Sequence, residues 1–391
     1  MEKKNGILVF IFSIYVCFMS YYLYTNHYYN TDMEAYMGLI YKTEYPDMKI
    51  EDIHKKVYDE LREKNPDFAG LGPVNPIAEE VAEGESSYYK IISQNPKVYE
   101  EELQLFVVKP FYNFIGWSFF KLGFSASASI SLISAISYAC ILILIFSFLI
   151  RILKNYPLAF ILTILISMFK PLPESARHVS ADSLSCLLLL LSFYIFLMRK
   201  NIFWAGILGM LCVLTRPEYF IFYSFLYVFV YLYRNRFQIK TAPLLISYGY
   251  LFLSFCLIQA FNQVSWSTLF MNQFTKVQIY PVSQPDPFSF SDYIHFIKSN
   301  IMLEFNSSYF PILLIFIVVI LTNHFSFRNK KNQAQVLFFA VIYGTVMLRF
   351  LIFPALVNRM MVGFYLIIIL SLIYIQISKV DIFKNSLEDG K

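Results

Sequence analysis

Charge is what this chain has least of. Asp, Glu, Lys and Arg make up 15% of its 391 residues, against 57% apolar residues, and the mean hydropathy is +0.53. That balance excludes an ordinary soluble globular domain. Cysteine outside apolar sequence is also missing. Cys17, Cys140, Cys186, Cys212 and Cys256 all fall inside apolar runs, so none can staple a polar loop, and the Cys/His spacing of a zinc site is absent. There is no outer-membrane-barrel alternation, no solenoid or transporter repeat and no low-complexity tail. What remains is an all-α polytopic membrane protein, whose helices satisfy their own backbone in lipid.

Apolar runs of about the 20 residues that a spanning helix needs recur from residue 6 to residue 378. The first, MEKKNGILVFIFSIYVCFMSYYLY, has the basic start of a signal peptide. It is long and ends in tyrosine rather than small residues, so it is expected to be a retained anchor. Basic clusters mark cytoplasmic ends. They stand at Lys3-Lys4, Arg151/Lys154, Arg199-Lys200, Arg234/Arg236/Lys240 and Arg328/Lys330/Lys331, with Lys379 and Lys384 in the tail. Placing all of them inside gives about ten spans, near 6–25, 126–150, 157–170, 183–198, 202–215, 218–233, 241–262, 308–326, 334–352 and 360–378, with both termini cytoplasmic. The net charge of +5 is thus a topology signal, and no nucleic-acid partner is expected.

A single transmembrane domain over 1–391 follows, in which 26–105 is a large first outer loop and 263–307 a second. Residues 106–122, FVVKPFYNFIGWSFFKL, suit an interfacial helix better than a span because of Lys109, Pro110, Trp117 and Lys121. The first loop holds 17 of the 27 acidic residues and 8 of the 32 basic ones. Within it 49–64 is predicted to be a surface helix and 65–76 a Pro/Gly-punctuated loop.

The informative charges are those at the outer ends of spans: Asp32, Glu34, Lys170, Glu174, Arg177, His178, Asp182, Arg216, Glu218, Arg349 and Arg359. They come from separate connections but share one membrane face, and charges bordering spans are costly enough to be functional. Each has a plainer alternative. Asp32 and Glu34 sit in an acidic loop, Arg216 and Glu218 can pair locally, Arg349 can snorkel to headgroups, and His178 can be a solvated loop residue. Carboxylates mixed with Arg, Lys and His suit a site that grips a phosphate while moving a proton.

Five stretches add a resemblance: TDMEAY (31–36), KPFYNFIGWSFFKLGFS (109–125), SADSLSCLLLLLSFYIFLMRK (180–200), AGILGMLCVLTRPEYFIF (205–222) and NRMMVGFYLIIIL (358–370). In layout and in these segments the chain resembles the GT-C superfamily of integral-membrane glycosyltransferases, especially bacterial relatives of protein O-mannosyltransferases and aminoarabinose transferases. The 49–104 segment lies outside the resemblance. It implies a GT-C-like fold and an inverting transfer of a hexosyl or pentosyl unit from a polyprenyl-phosphate-linked donor to a protein, lipid or surface glycan, at the outer face of the cytoplasmic (inner) membrane. It implies Asp32 as general base and Tyr36 as the matching aromatic, with Asp182 and Arg216 lining the outer cavity. Arg177, His178, Glu218, Arg349 and Arg359 join them as candidate substrate contacts. Glu34 would be auxiliary or would touch a divalent metal, although two carboxylates are too few to specify one. An O-antigen-type polysaccharide polymerase or ligase shares the lipid-linked substrate but carries its large outer loop late in the chain. A lipid or glycan transporter would need polar groups at the bilayer midplane, where these spans are almost purely apolar.

Overall fold

The computed structural model describes residues 2–65, 88, 91–324 and 330–378. Their regular structure is helical, and the one β contact among them is an isolated bridge between Tyr28 and His178. In chain order the helices are α1 (Glu2–Thr25), α2 (Thr31–Glu44), α3 (Ile50–Lys64), α4 (Pro96–Phe106), α5 (Pro110–Lys121), α6 (Ala126–Leu153), α7 (Tyr156–Ser167), α8 (Pro171–Arg177), α9 (Asp182–Arg199), α10 (Ile202–Thr215), α11 (Tyr219–Leu232), α12 (Arg234–Phe237), α13 (Thr241–Phe261), α14 (Trp266–Phe274), α15 (Phe290–Ser307), α16 (Phe310–His324), α17 (Lys330–Ile352) and α18 (Asn358–Ser378). The predicted 65–76 loop lies almost wholly outside the described residues.

The chain is a polytopic all-α membrane protein. Among the described residues six helices are long and apolar enough to cross a bilayer, and eight segments qualify if α7 with α8, and α15 with α16, each count as one span broken by a 61° bend. The helices α10 and α11 are apolar but only 14 residues each, about 21 Å at 1.5 Å per residue. These segments coincide with the ten apolar runs, but α10 and α11 fall short of the usual spanning length, so the expected count of ten is not reached on length alone.

Local chemistry explains the breaks. Asn30, Asn95, Ser125, Asn155 and Asn201 each cap the helix that follows through a side-chain oxygen, satisfying donors that a helix start leaves orphaned. Proline occupies the first turn of α4, α5, α7 and α8, where its missing N–H costs nothing. The expected interfacial helix 106–122 therefore begins at Pro110, and Phe106 closes α4 instead.

The bundle is centred on α6, α9 and α18, which pack together and against α1, α7, α8, α10 and α16. Before it stands a polar N-terminal lobe. Here α2 is sandwiched among α3, α4, α5 and the start of α6. The helix predicted over 49–64 forms as α3, and it buries Ile53, His54, Val57, Tyr58 and Leu61 against the lobe. Glu60 ties lobe to bundle: its carboxylate accepts from Tyr41 Oη at 2.8 Å and from the Ser127 backbone N–H at 2.9 Å.

Candidate functional site

Helix ends bring the polar residues together. Asp182 opens α9, Arg216 follows the last turn of α10, and Arg359 lies in the first turn of α18. One Asp182 oxygen pairs with Arg216 Nη1. The other accepts from Arg359 Nη1 at 2.6 Å and from Ser180 Oγ at 2.9 Å. Arg216 continues to Glu218, with Nη2 2.6 Å from Oε1. Asp182 is only 3% exposed and Arg216 6%, so this is a desolvated ion network rather than a set of surface pairs. Such a network is tolerated because each charge has a hydrogen-bonded counter-charge.

Arg349 is the exception. It is 6% exposed, yet its guanidinium meets only the Ala355 carbonyl at 2.6 Å and Met360 Sδ at 3.7 Å, and Nε has no partner. Among the described residues no carboxylate pairs with it, although Glu218, Arg216 and Asp182 lie within electrostatic reach. A second polar connection holds the turn that presents it. Asn300 Nδ2 donates to the Pro354 carbonyl at 3.0 Å, Glu304 Oε2 accepts from the Leu356 N–H at 2.5 Å, and Asn358 Nδ2 donates to the Ser307 carbonyl at 3.0 Å. That connection also reaches the N-terminal lobe, where Glu101 Oε2 accepts from the Val282 and Ser283 N–H groups.

Asp32 lies in the first turn of α2, half-buried, with no hydrogen bond or ion pair of its side chain among the described residues. One helical turn on, the buried Tyr36 accepts from Lys109 Nζ at 2.7 Å. Lys109 stands over the rings of Phe106 and Tyr36. Burial lowers the proton affinity of its ammonium; Asp32 opposes this, Arg216 adds to it, and Glu218 and Asp182 raise it again. Lys109 thus joins the Asp32 edge of the lobe to the ion network of the bundle. Nothing in its neighbourhood in sequence distinguishes it from a headgroup anchor except the proline that follows and fixes it at the start of α5.

The other predicted residues separate by role. Arg177 donates through Nε to the Asn26 carbonyl at 2.7 Å and lies 4.1 Å over the Tyr28 ring. His178 bridges to Tyr28 through the backbone and sits 3.4 Å from Asn30 Nδ2. Burial first, then Arg359, holds the His178 imidazole down to about 4, so it is neutral at neutral pH. Both residues fix the entrance to α2 against the connection leading into α9. Lys170 is exposed, and neither it nor Glu174 forms an ion pair among the described residues.

Glu34 is not beside Asp32. Residues two apart lie on nearly opposite sides of a helix, so the two carboxylates do not make a common ligand pair. Among the described residues no three His, Cys, Asp or Glu side chains gather as a metal set. Glu34 instead turns inward, 2% exposed, beside Tyr58, Tyr99 and Glu102. Burial raises its carboxyl to about 8 and that of Glu102 to about 7. The partners came from the segment that the sequence presents as a charged surface helix and from an acidic run, EEEL, in which no single residue stands out.

The geometry offers the uncommitted Asp32 carboxylate within electrostatic reach of Lys109, and among the described residues neither Lys109 nor Arg349 has an ion-pair partner. Compared with models of known families, with curated proteins and with solved structures, the chain matches none.

Proposed function

We propose that this chain is an inverting glycosyltransferase that moves a hexosyl or pentosyl unit from a polyprenyl-phosphate donor to a protein, lipid or surface-glycan acceptor at the outer face of the cytoplasmic membrane. The observation that carries the reading is the unpaired Asp32 carboxylate within electrostatic reach of Lys109, with the unpaired Arg349 guanidinium in reach of the same Arg216, Glu218 and Asp182. A base that is already salt-bridged cannot readily take a proton, and a cation already neutralised stabilises a new anion less.

The chemistry assigns each group one task. The acceptor hydroxyl gives its proton to Asp32 as its oxygen bonds to the anomeric carbon. The bond from that carbon to the phosphate oxygen breaks, and polyprenyl phosphate leaves with the extra negative charge. Lys109 and Arg349 hold that charge. Arg359 and Arg216 frame it, fixed by Asp182 and Glu218. One displacement inverts the anomeric centre, so a single essential carboxylate suffices, unlike the acid and base pair of a glycosidase. No metal is required by this scheme.

The same reading takes the basic clusters as cytoplasmic, giving ten segments with α10 and α11 as short crossings, and puts the N-terminal lobe and the connection containing α14 and α15 outside. Asp32→Asn in proteoliposomes supplied with polyprenyl-phosphate sugars is expected to abolish transfer while folding is unchanged. Wild-type turnover by that variant would sink the assignment.

A further inference from the structure

Two carboxyls in the N-terminal lobe have no part in the transfer reaction. Glu34 on α2 and Glu102 on α4 are 2% and 8% exposed, and no Lys, Arg or His pairs with either among the described residues. Among the described residues their hydrogen-bonding neighbours are neutral. Tyr88 Oη donates to Glu102 Oε2 at 2.6 Å. Tyr99 Oη is committed to the Glu34 backbone carbonyl at 2.6 Å, and Tyr41 Oη to Glu60. From α3, the ring of His54 lies tilted 4.6 Å from Tyr58 and edge-on 5.3 Å from Tyr99, while its Nε2–H is taken by the Ile92 carbonyl at 2.9 Å. The charges that act on Glu34 are Glu102 and Asp32, both negative, and Asp32 also acts on Glu102. Arg62 acts on His54.

Two buried anions facing each other with no cation would cost several kcal/mol each. The geometry also leaves two atoms unsatisfied: Glu34 Oε1 and Tyr58 Oη are buried and have no partner. A carboxylate and a phenol can pair only if the phenol donates. A carboxylic acid can instead donate its own O–H to the phenol oxygen, so Tyr58 can partner Glu34 in either protonation state, and it is the absence of a cation among the described residues that favours the acid.

We propose that Glu34 and Glu102 form a proton-binding site, and that the bound proton seats α2, with Asp32 and Tyr36 on its other face, against α3 and α4. When the proton leaves to water, a carboxylate replaces the acid in an apolar setting and water must enter the lobe to solvate it. The sign follows from the direction of the shift. A carboxyl whose proton affinity is raised by folding stabilises the fold at low pH, and that stability is lost as pH climbs through the folded value. With Glu102 raised from 4.5 to about 7 and Glu34 from 4.5 to about 8, the loss begins as pH rises past the ordinary carboxyl range, runs through neutrality and is complete near the folded values. Any effect on turnover rests on the function proposed above; the protonation itself does not.

The test uses the full chain in lipid nanodiscs without substrate, so a failed transfer assay would leave it intact and its failure would leave the transferase reading intact. The thermal midpoint is followed from about pH 4 to about pH 9 for the wild type, Glu34→Gln and Glu102→Gln. In parallel, the infrared band of protonated carboxyls is titrated. The wild-type midpoint is expected to fall with rising pH while its carboxylic-acid band bleaches. Glu34→Gln should flatten the fall and remove part of the band. Parallel pH curves for wild type and Glu34→Gln overturn the proposal. Should Glu34→Gln not fold, the wild-type band decides: an acid band that persists at neutral pH and is reduced in Glu102→Gln supports it, and none at neutral pH overturns it.

Discussion

Asp182 and Asp32 are both acids at the start of a helix, yet their commitments are opposite. Asp182 divides its oxygens between Arg216 and Arg359, whereas Asp32 has no side-chain partner among the described residues. Asp182→Asn leaves two guanidiniums under-neutralised in a buried setting and is expected to cost about 3–5 kcal/mol, read as a fall in the denaturation midpoint in detergent. Asp32→Asn should stay within about 0.5 kcal/mol of wild type by the same measurement, even though the proposed function has it remove activity. Arg349 separates stability from function in the other direction. Because its charge is buried without a counter-ion, Arg349→Met is expected to be neutral or stabilising, by up to about 1–2 kcal/mol. Donor binding should weaken at least about tenfold, on the order of 1.4 kcal/mol, as the apparent KM for the lipid donor. A destabilised Arg349→Met chain would mean that the guanidinium is held for packing alone. Much of this was legible in the sequence, because a charge at the edge of an apolar run has few reasons to be there. Lys109 was not, because a lysine next to proline and aromatics is also what a headgroup anchor looks like.

At the scale of helices, the seat of α2 decides where Asp32 and Tyr36 stand. Gly38 makes that seat possible. A Cβ built there would lie 2.1 Å from Tyr99 Oη and 2.8 Å from Leu103 Cδ2, so α4 approaches the bare backbone of α2 and Tyr99 can reach the Glu34 carbonyl. Gly38→Ala must push α4 away, at a cost of about 1–3 kcal/mol. Amide exchange should quicken in α2 and α4 while α6, α9 and α18 stay protected; equal loosening of the bundle would mean that lobe and bundle unfold as one unit. The sequence predicts α3 as a helix from its 49–64 pattern but leaves its buried face unread. Ile53, His54, Val57, Tyr58 and Leu61 recur at helical spacing, yet the dense charge between them resembles a solvated surface. A period shows that one side is apolar; it does not say that α2 just before it and α4, farther down the chain, will cover it.

For the whole molecule, the distribution of charge argues for one orientation. Basic residues close several helices at their C-terminal ends, Arg151 on α6 and Arg199 on α9 among them, where they also meet the negative end of the helix dipole. Lys154 and Lys200 then terminate those helices in the left-handed region, at φ 51° and 49°, a conformation with a small steric cost for a non-glycine residue. Both ends belong to the basic clusters that favour the cytoplasm, and the proposed orientation puts the acidic lobe, with its clasp from Glu101 to Ser283, on the other side. Single cysteines at Lys154 and Arg199 should therefore react with a membrane-impermeant thiol reagent only from the cytoplasmic side, and single cysteines at Glu51 and Gln284, both exposed positions, only from outside. The native cysteines lie in apolar helices, so labelling of the wild type supplies the background. Labelling of Glu51→Cys and Lys154→Cys from the same side would separate the lobe from the outer face and remove the proposed active site from the compartment in which the proposed lipid-linked donor would be presented to it.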